Sequence, residues 1–300
     1  MIDRRLFLAS SAAALACGCA RAGDSEERAP APAPDLTAPD RFEAIRATLG
    51  PGARLGVAAI DTGSGRRLVH DPDGRYAMAS TFKLPLAGFV LAEADAGRLR
   101  LDEELPFVAE DPLDNSPVVE GHRARGRLPV ETLAEAIVVR SDNSAANALL
   151  RRLGGPEALT RFLRSNGDPA TRVDRFEMAL NSNLPGDPRD TTTPAAMAAT
   201  ARTLVLGDRL AAASRERLAR WLVAAIPGPD RLRAGLPADW RFGHKTGTGS
   251  RGAVNDVGIA WPPGRAPIVI ASYQDGGDTP VAVHAAAHAS VARLVAERLA

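Results

Sequence analysis

The sequence predicts a mixed α/β fold: an antiparallel sheet flanked by helices, with an all-α lobe inserted into it. Three observations predict it. Strand-like runs lie at both ends of the chain, at 54–61 and 66–70 and again at 241–246, 253–261 and 268–273. The terminal strands are joined by tight turns, such as Thr62-Gly63-Ser64-Gly65 and Pro262-Pro263-Gly264, which makes them hairpins. Between 101 and 230 the chain reads mostly as helices joined by polar loops. The expected layout is an export signal at 1–22, a tether at 23–38 and a catalytic domain at 39–300. Within that domain the α/β lobe takes 39–72 and 227–300, and the helical lobe takes 73–226.

Taken in order, Arg4-Arg5-Leu6-Phe7-Leu8 is a twin-arginine pattern followed by a short apolar segment, 12–16, and reads as an export signal. Two cleavage patterns are present. Ala20-Arg21-Ala22 has the small-x-small form, whereas 16–19 resembles a loose lipoprotein box that would lipidate Cys19 or, less well, Cys17. Both cysteines of the chain lie here, so the body has neither a disulfide nor a cysteine nucleophile. Residues 23–38, rich in Pro, Ala and Glu, read as a flexible tether.

Residues 41–49 have helical spacing and stop at Gly50-Pro51-Gly52. After the first hairpin, Asp71-Pro72-Asp73-Gly74 turns the chain towards Ser80, and the apolar run 82–94 reads as a buried helix. Helices follow at 129–139, 145–153 and 156–166. Residues 166–194 are long, polar and rich in Asp, Asn and Pro, and read as a structured loop; loops of this length in a compact domain usually carry function. Helices are expected at 194–206, 214–226 and, at the end, 282–299. No internal repeat is present.

Composition narrows the function. The net charge of +1 gives no electrostatic case for nucleic-acid binding, and beyond the leader no apolar run is long enough to span a membrane. The five histidines fit no metal-ligand spacing. His284 and His288 lie one turn apart, but a pair without a third ligand is ordinarily structural or exposed.

One stretch carries chemistry. In Met78-Ala79-Ser80-Thr81-Phe82-Lys83 the lysine lies one helical turn after the serine, so its amine reaches the hydroxyl. A serine is a weak nucleophile until a base takes its proton. Ser-x-x-Lys alone is a weak signal that a surface helix also produces. Here it is sharpened by composition: the chain has two lysines, Lys83 and Lys245, against 35 arginines. Arginine stays protonated, whereas a buried lysine can be tuned to act as a base.

Three further stretches join it in order: Ser141-Asp142-Asn143 between helices, Glu177 in the long loop, and Lys245-Thr246-Gly247 on a strand. Together they resemble the class A serine β-lactamases, over essentially the whole chain after the leader. The resemblance implies the fold of the β-lactamase and D,D-peptidase group, with hydrolysis of the β-lactam amide of penicillins or cephalosporins and hence antibiotic resistance. It implies an acyl-enzyme on Ser80 that a water activated by Glu177 would release, and an oxyanion hole from the backbone N–H groups of Ser80 and Thr248. Ser141 would pass a proton to the departing nitrogen, although a helix cap is the plainer reading of Ser-Asp-Asn. Asn143 would donate to a substrate amide carbonyl and position Lys83, and Asn181 would hold the water. Lys245, Thr246, Gly247 and Thr248 would receive the substrate carboxylate, helped by Arg231, whose plainer reading is a surface charge. Asn147 would anchor Glu177, otherwise a solvated loop carboxylate. Arg175 and Asp190 would close the loop as an ion pair.

The implied partner is a small-molecule β-lactam, with no cofactor, no metal and no nucleic acid. The protein would be an exported monomer of the periplasm or cell envelope, touching a membrane only through an N-terminal lipid. The sequence departs from the family at Asn115, where an aromatic residue is common, and at Phe176 and Met178 around Glu177. Val254 stands at the alternative arginine position, and Ala79 and Gly249 exclude a disulfide beside the site. The alternatives are a penicillin-binding D,D-peptidase, which would not need the loop carrying Glu177, and a non-turnover β-lactam-binding sensor, which would normally need a membrane-spanning segment or a signalling domain that the sequence does not display.

Overall fold

The fold is built on a central sheet whose strands come from opposite ends of the chain. The computed structural model describes residues 35–107, 114–277 and 279–300, which belong to one compact unit, Ala33–Ala300. The expected signal, both cysteines and most of the tether lie outside the described residues.

The first half runs α1 (Pro39–Ala47), β1 (Arg54–Asp61), β2 (Arg67–His70) and β3 (Tyr76–Ala77). A short 3-10 turn, Ala79–Phe82, then opens directly into α2 (Lys83–Asp95). Next come β4 (Glu104–Pro106), α3 (Pro117–Gly121), β5 (Arg127–Pro129), α4 (Val130–Val139), α5 (Asn143–Arg152) and α6 (Pro156–Ser165). The long loop contains a 3-10 turn, Ala179–Asn181, and ends in β6 (Thr191–Thr192). Then follow α7 (Pro194–Val205), α8 (Ala212–Val223), α9 (Leu232–Gly235), β7 (Arg241–Thr248), β8 (Val254–Trp261), β9 (Ile268–Asp275) and α10 (Val281–Leu299).

The main sheet has the order β2-β1-β9-β8-β7 and is antiparallel throughout. Its strands are buried on both faces, and the period-2 alternation of side chains divides them between two cores. Ala58, Ile60, Val269, Ala271 and Tyr273 face the larger core, packed with α2, α4, α5 and α7. Val57, Ala59, Ile268 and Ile270 face the second core with Phe42 of α1 and Val291 and Val295 of α10. In α2 every residue from Lys83 to Ala92 is buried. It therefore runs through the larger core, and the nucleophile turn at its start is anchored by interior packing.

The sheet differs from expectation at its ends. β7 continues two residues beyond 246, to Thr248, because the ladder with β8 runs on through Gly247↔Asn255 and Thr248↔Val254. Two short ladders and two short helices lay hidden in the sequence: β3 with β6, β4 with β5, and the brief α3 and α9. Segments of two to five residues carry no periodicity and exist through tertiary pairing. α8 begins and ends earlier than the 214–226 expected. α5 starts at Asn143 because Asp142, and not Ser141, is its cap: Asp142 Oδ1 accepts from the Ala145 N–H at 2.9 Å. Ser141 instead has positive φ, +59°.

Candidate active site

Four elements converge on one amine. Lys83, on the first turn of α2, is fully buried. Its Nζ donates to Ser80 Oγ at 3.0 Å, to the Ser141 carbonyl at 2.9 Å and to Asn143 Oδ1. Glu177 Oε1 from the long loop lies 2.9 Å away, with both side chains fully buried. Burial pushes the Lys83 amine below its ordinary value, and the charge of Glu177 opposes that shift. The three N–H directions serve the other three oxygens, so Glu177 Oε1 has an ionic contact but no directed hydrogen bond.

Glu177 is held at its backbone by a single side chain. Asn147 on α5 accepts the Glu177 N–H and donates to its carbonyl, both at 2.9 Å. Its other carboxylate oxygen accepts from Asn181 Nδ2 at 2.6 Å. The carboxylate that would be solvated in an isolated loop is thus fully buried. The Glu177–Met178 peptide is cis.

Asp190 closes the neck of the loop. Its carboxylate, 1% exposed, accepts the Asp174 and Arg175 N–H groups at 2.7 and 3.0 Å and Arg175 Nε at 2.5 Å.

Across the cleft, Lys245 on β7 donates to Ser141 Oγ at 3.0 Å and to the Thr246 carbonyl at 2.8 Å. Burial pushes its amine well below the ordinary range, helped by the charges of Lys83 and Arg231 and opposed by those of Asp256 and Glu177. Arg231, from the segment before α9, is 6% exposed, which removes the surface-charge reading. Its Nη1 donates to the Gly247 and Asn255 carbonyls at 2.8 Å, and its Nη2 to Thr248 Oγ1 at 2.7 Å. Thr248 is exposed at the strand end, while Thr246 is buried.

Two expectations change in detail. Gly247 was expected among the residues that receive the substrate carboxylate. A Cβ there would meet the Met78 carbonyl at 2.7 Å and the Ser80 nitrogen at 3.2 Å, so the glycine lets β7 lie against the nucleophile turn. Asn143 was expected to offer its amide to a substrate. Its Nδ2 donates internally, to the Asp114 carbonyl at 2.7 Å and to Met178 sulfur at 3.0 Å.

Other supporting residues escaped the sequence reading. Asn255 Nδ2 donates to the Ala77 and Met78 carbonyls at 2.9 and 3.1 Å, fixing the turn that carries Ser80. Asn115 Nδ2 donates to the Ser141 carbonyl at 2.9 Å. The signal for the first was available: Asn255-Asp256 interrupts an otherwise apolar buried strand. His284 and His288 are fully buried and bonded to Gln274 and Ser272, and among the described residues no group of three His, Cys, Asp or Glu side chains could hold a metal ion.

The site thus offers a serine hydroxyl next to a buried lysine and carboxylate, with a second lysine and an arginine on the opposite wall. That combination suits acyl transfer to serine from a substrate carrying an anion.

Comparison with known proteins agrees. A family model described as the beta-lactamase enzyme family matches residues 40–299. The chain is 48% identical over 273 residues to β-lactamase AST-1 of Nocardia asteroides, covering 90% of this chain and 87% of that protein. It is 44% identical to β-lactamase L2 of Stenotrophomonas maltophilia, covering 100% of this chain and 99% of that protein. An ancestral (GNCA) class A β-lactamase structure superposes with a TM-score of 0.83 at 53% identity, covering 86% of this chain and 98% of that one.

Proposed function

Since the chain belongs to the β-lactamase enzyme family, among its class A members, we propose that it hydrolyses the amide bond of penicillins or cephalosporins through an acyl-enzyme on Ser80. The observation that carries this reading is the buried Glu177–Lys83 contact of 2.9 Å beside Ser80 Oγ.

The proposed acylation begins when Lys83 passes a proton to Glu177 across that contact. With the proton on Glu177, Lys83 is a free amine, and its lone pair can take the Ser80 proton as Oγ attacks the lactam carbonyl. With the proton on Lys83, Glu177 is the base. The developing oxyanion is received by the backbone N–H groups of Ser80 and Thr248. Ser141, bonded to Lys245, passes its hydroxyl proton to the departing lactam nitrogen. Lys245, Thr246, Gly247, Thr248 and Arg231 orient the substrate carboxylate. In the second step Glu177, with Asn181 beside it, takes a proton from water, whose oxygen attacks the acyl carbon and releases Ser80 Oγ. Asn143 orients Lys83, Asn147 fixes Glu177, and Arg175 with Asp190 fixes the loop.

The protein acts as a monomeric catalytic domain at 39–300, with a sheet lobe at 39–72 and 227–300 and a helical lobe at 73–226. Its N-terminal 22 residues direct export by the twin-arginine route to the periplasm or cell envelope, with Cys19 the candidate for a lipid anchor.

Intact-protein mass spectrometry during exposure to a penicillin, with product followed in parallel, tests the reading. Expected are multiple turnovers without a lasting adduct, and a lasting adduct in Glu177→Ala, with deacylation slowed by roughly 10² to 10⁴. A lasting adduct in the unsubstituted protein would mean that no water is activated. Folded protein with neither adduct nor turnover would sink the reading altogether.

A further inference from the structure

Behind Lys245 lies a second buried set of charges that the proposed reaction does not use. His244 precedes Lys245 and points to the other face of β7. Its Nδ1 lies 2.8 and 3.0 Å from the two oxygens of Asp256 on β8, and both residues are fully buried. A carboxylate only accepts, so Nδ1 carries the proton. The remaining ring nitrogen, Nε2, is buried with no partner.

Asp256 has a second hold on the site. Its Oδ2 accepts the Leu232 N–H at 3.1 Å, which fixes the backbone immediately after Arg231. Across the β7–β8 ladder Asp256 pairs with Thr246, one residue from Lys245. α10 brings two fully buried rings to this region: His284, whose Nδ1 lies 2.7 Å from Gln274 Oε1 and which burial and Arg231 push below its ordinary value, and His288. The Nε2 of His288 lies 3.0 Å from the Val254 carbonyl, and its Nδ1 lies 2.9 Å from Ser272 Oγ. A carbonyl accepts only, so Nε2 carries the proton and Ser272 donates to Nδ1. Burial, reinforced by Arg231, pushes this ring down to about 3, so it is neutral near pH 7.

Three cations, Lys83 on one side of the cleft and Lys245 and Arg231 on the other, are therefore buried around the site. Burial and mutual repulsion press Lys245 towards a neutral amine, and a neutral amine is a poor partner for a carboxylate. Glu177 opposes this from the cleft side, but it lies against Lys83, 2.9 Å from its Nζ. Asp256 is the anion built into the sheet itself.

We propose that Asp256, held in place by His244, is a positioning residue that keeps Lys245 charged and Arg231 aimed at Thr248, so that the two cations can receive a substrate carboxylate. This rests on the carboxylate role proposed above for Lys245, Thr248 and Arg231. The sign is specific. Removing the negative charge alone would raise the positive potential and favour an anion while Lys245 stays protonated. The loss appears only where Lys245 gives up its proton, on the alkaline side.

The test is Asp256→Asn, which keeps one acceptor oxygen, at the Oδ2 position within reach of both the Leu232 N–H and His244 Nδ1, and removes the charge. Lys83 and Lys245 are the two lysines of the chain, so ¹³C-lysine NMR reads them directly. Lys245 should titrate at least about one pH unit lower in the variant. At pH 8 the KM for benzylpenicillin should rise about tenfold, with kcat changed less than about twofold. The alkaline limb of kcat/KM should move to lower pH, and benzylpenicillin methyl ester should show none of this. An unchanged lysine titration, or equal losses on acid and ester at every pH, would overturn the proposal by making Asp256 merely structural. Should the variant not fold, the unsubstituted protein decides: an ammonium at Lys245 through pH 8 supports the proposal, and a neutral amine at pH 7 defeats it. The lysine titration does not depend on turnover, so its failure is distinct from the absence of a Ser80 adduct, which would defeat the β-lactamase reading.

Discussion

At the Nζ of Lys83 four oxygens compete for three protons. Ser141 O, Asn143 Oδ1 and an ionised Glu177 accept only, while Ser80 Oγ both accepts and donates. As a free amine, Lys83 can take the serine proton; as an ammonium, it can hold the acceptors. Burial lowers the Lys83 amine from its ordinary value and so brings the free form within reach, which an arginine in its place would not allow. Lys83→Arg fixes the charge, so acylation should fall by about 10² to 10⁴, read as the rate of adduct formation. Arg231 would still be in place, so loss of substrate binding should be the smaller effect, read as KM. Gly247 acts at the same scale by what it lacks. Gly247→Ala puts a methyl 2.7 Å from the Met78 carbonyl, so β7 and the nucleophile turn must part. We expect about 1–3 kcal/mol of destabilisation in urea unfolding and slower acylation, because the Ser80 N–H moves with the turn. The two lysines were legible because the chain otherwise uses arginine, and Ser80 and Glu177 because they stand in an ordered set of motifs that resembles a known family. The internal bonding of Asn143 was not, because nothing local says which acceptors meet an amide from Asp114 and Met178.

The long loop is an element with almost no regular structure, held by buried polar anchors. Asn147 satisfies both backbone groups of Glu177, and Asp190 gathers two backbone N–H groups and Arg175 at the neck. Breaking one partner of such a buried pair leaves the other charge uncompensated. Asp190→Asn should therefore destabilise the protein by roughly 3 kcal/mol in urea unfolding. Deacylation should slow more than acylation, since Glu177 depends on the loop while Ser80 is anchored by α2. Equal losses in the two rate constants would count against this division. The loop was legible as an exception to local rules: long, polar and punctuated by Asp, Asn and Pro. Its short pairing of Thr191–Thr192 with Tyr76–Ala77 was invisible, since two residues carry no pattern.

At the scale of the molecule, β1 pairs with β9 from Arg54↔Asp275 to Asp61↔Ile268, so the two ends of the chain complete one sheet around the helical insertion. α10 covers the outer face and buries His288 against it. The His288 ring is pushed from 6.5 down to about 3 by burial. Below its ordinary value the unfolded chain binds a proton that the native state refuses, so stability is full above about pH 6.5 and is lost as pH falls towards 3. The full contribution is on the order of 5 kcal/mol for a shift of this size. His288→Gln should flatten the dependence of unfolding free energy on pH across that window, while other acid-sensitive groups keep theirs. An unchanged slope would show that the ring is protonated, or paired, in the folded state.

What the sequence determined by itself was local and chemical. Apolar periodicity set the long helices and the strands of the sheet, turn residues set its hairpins, and the order of Ser80, Lys83, Ser141, Glu177 and Lys245 set the kind of chemistry. Tertiary structure alone decided which groups meet the Lys83 amine, where Arg231 lies, and that Asp256 and His244 stand behind Lys245. The physical reason is separation. Pairing His244 with Asp256, or Lys83 with Glu177, depends on strand register and on a loop folded back over a helix start, and neither is written in the neighbours of any one of these residues.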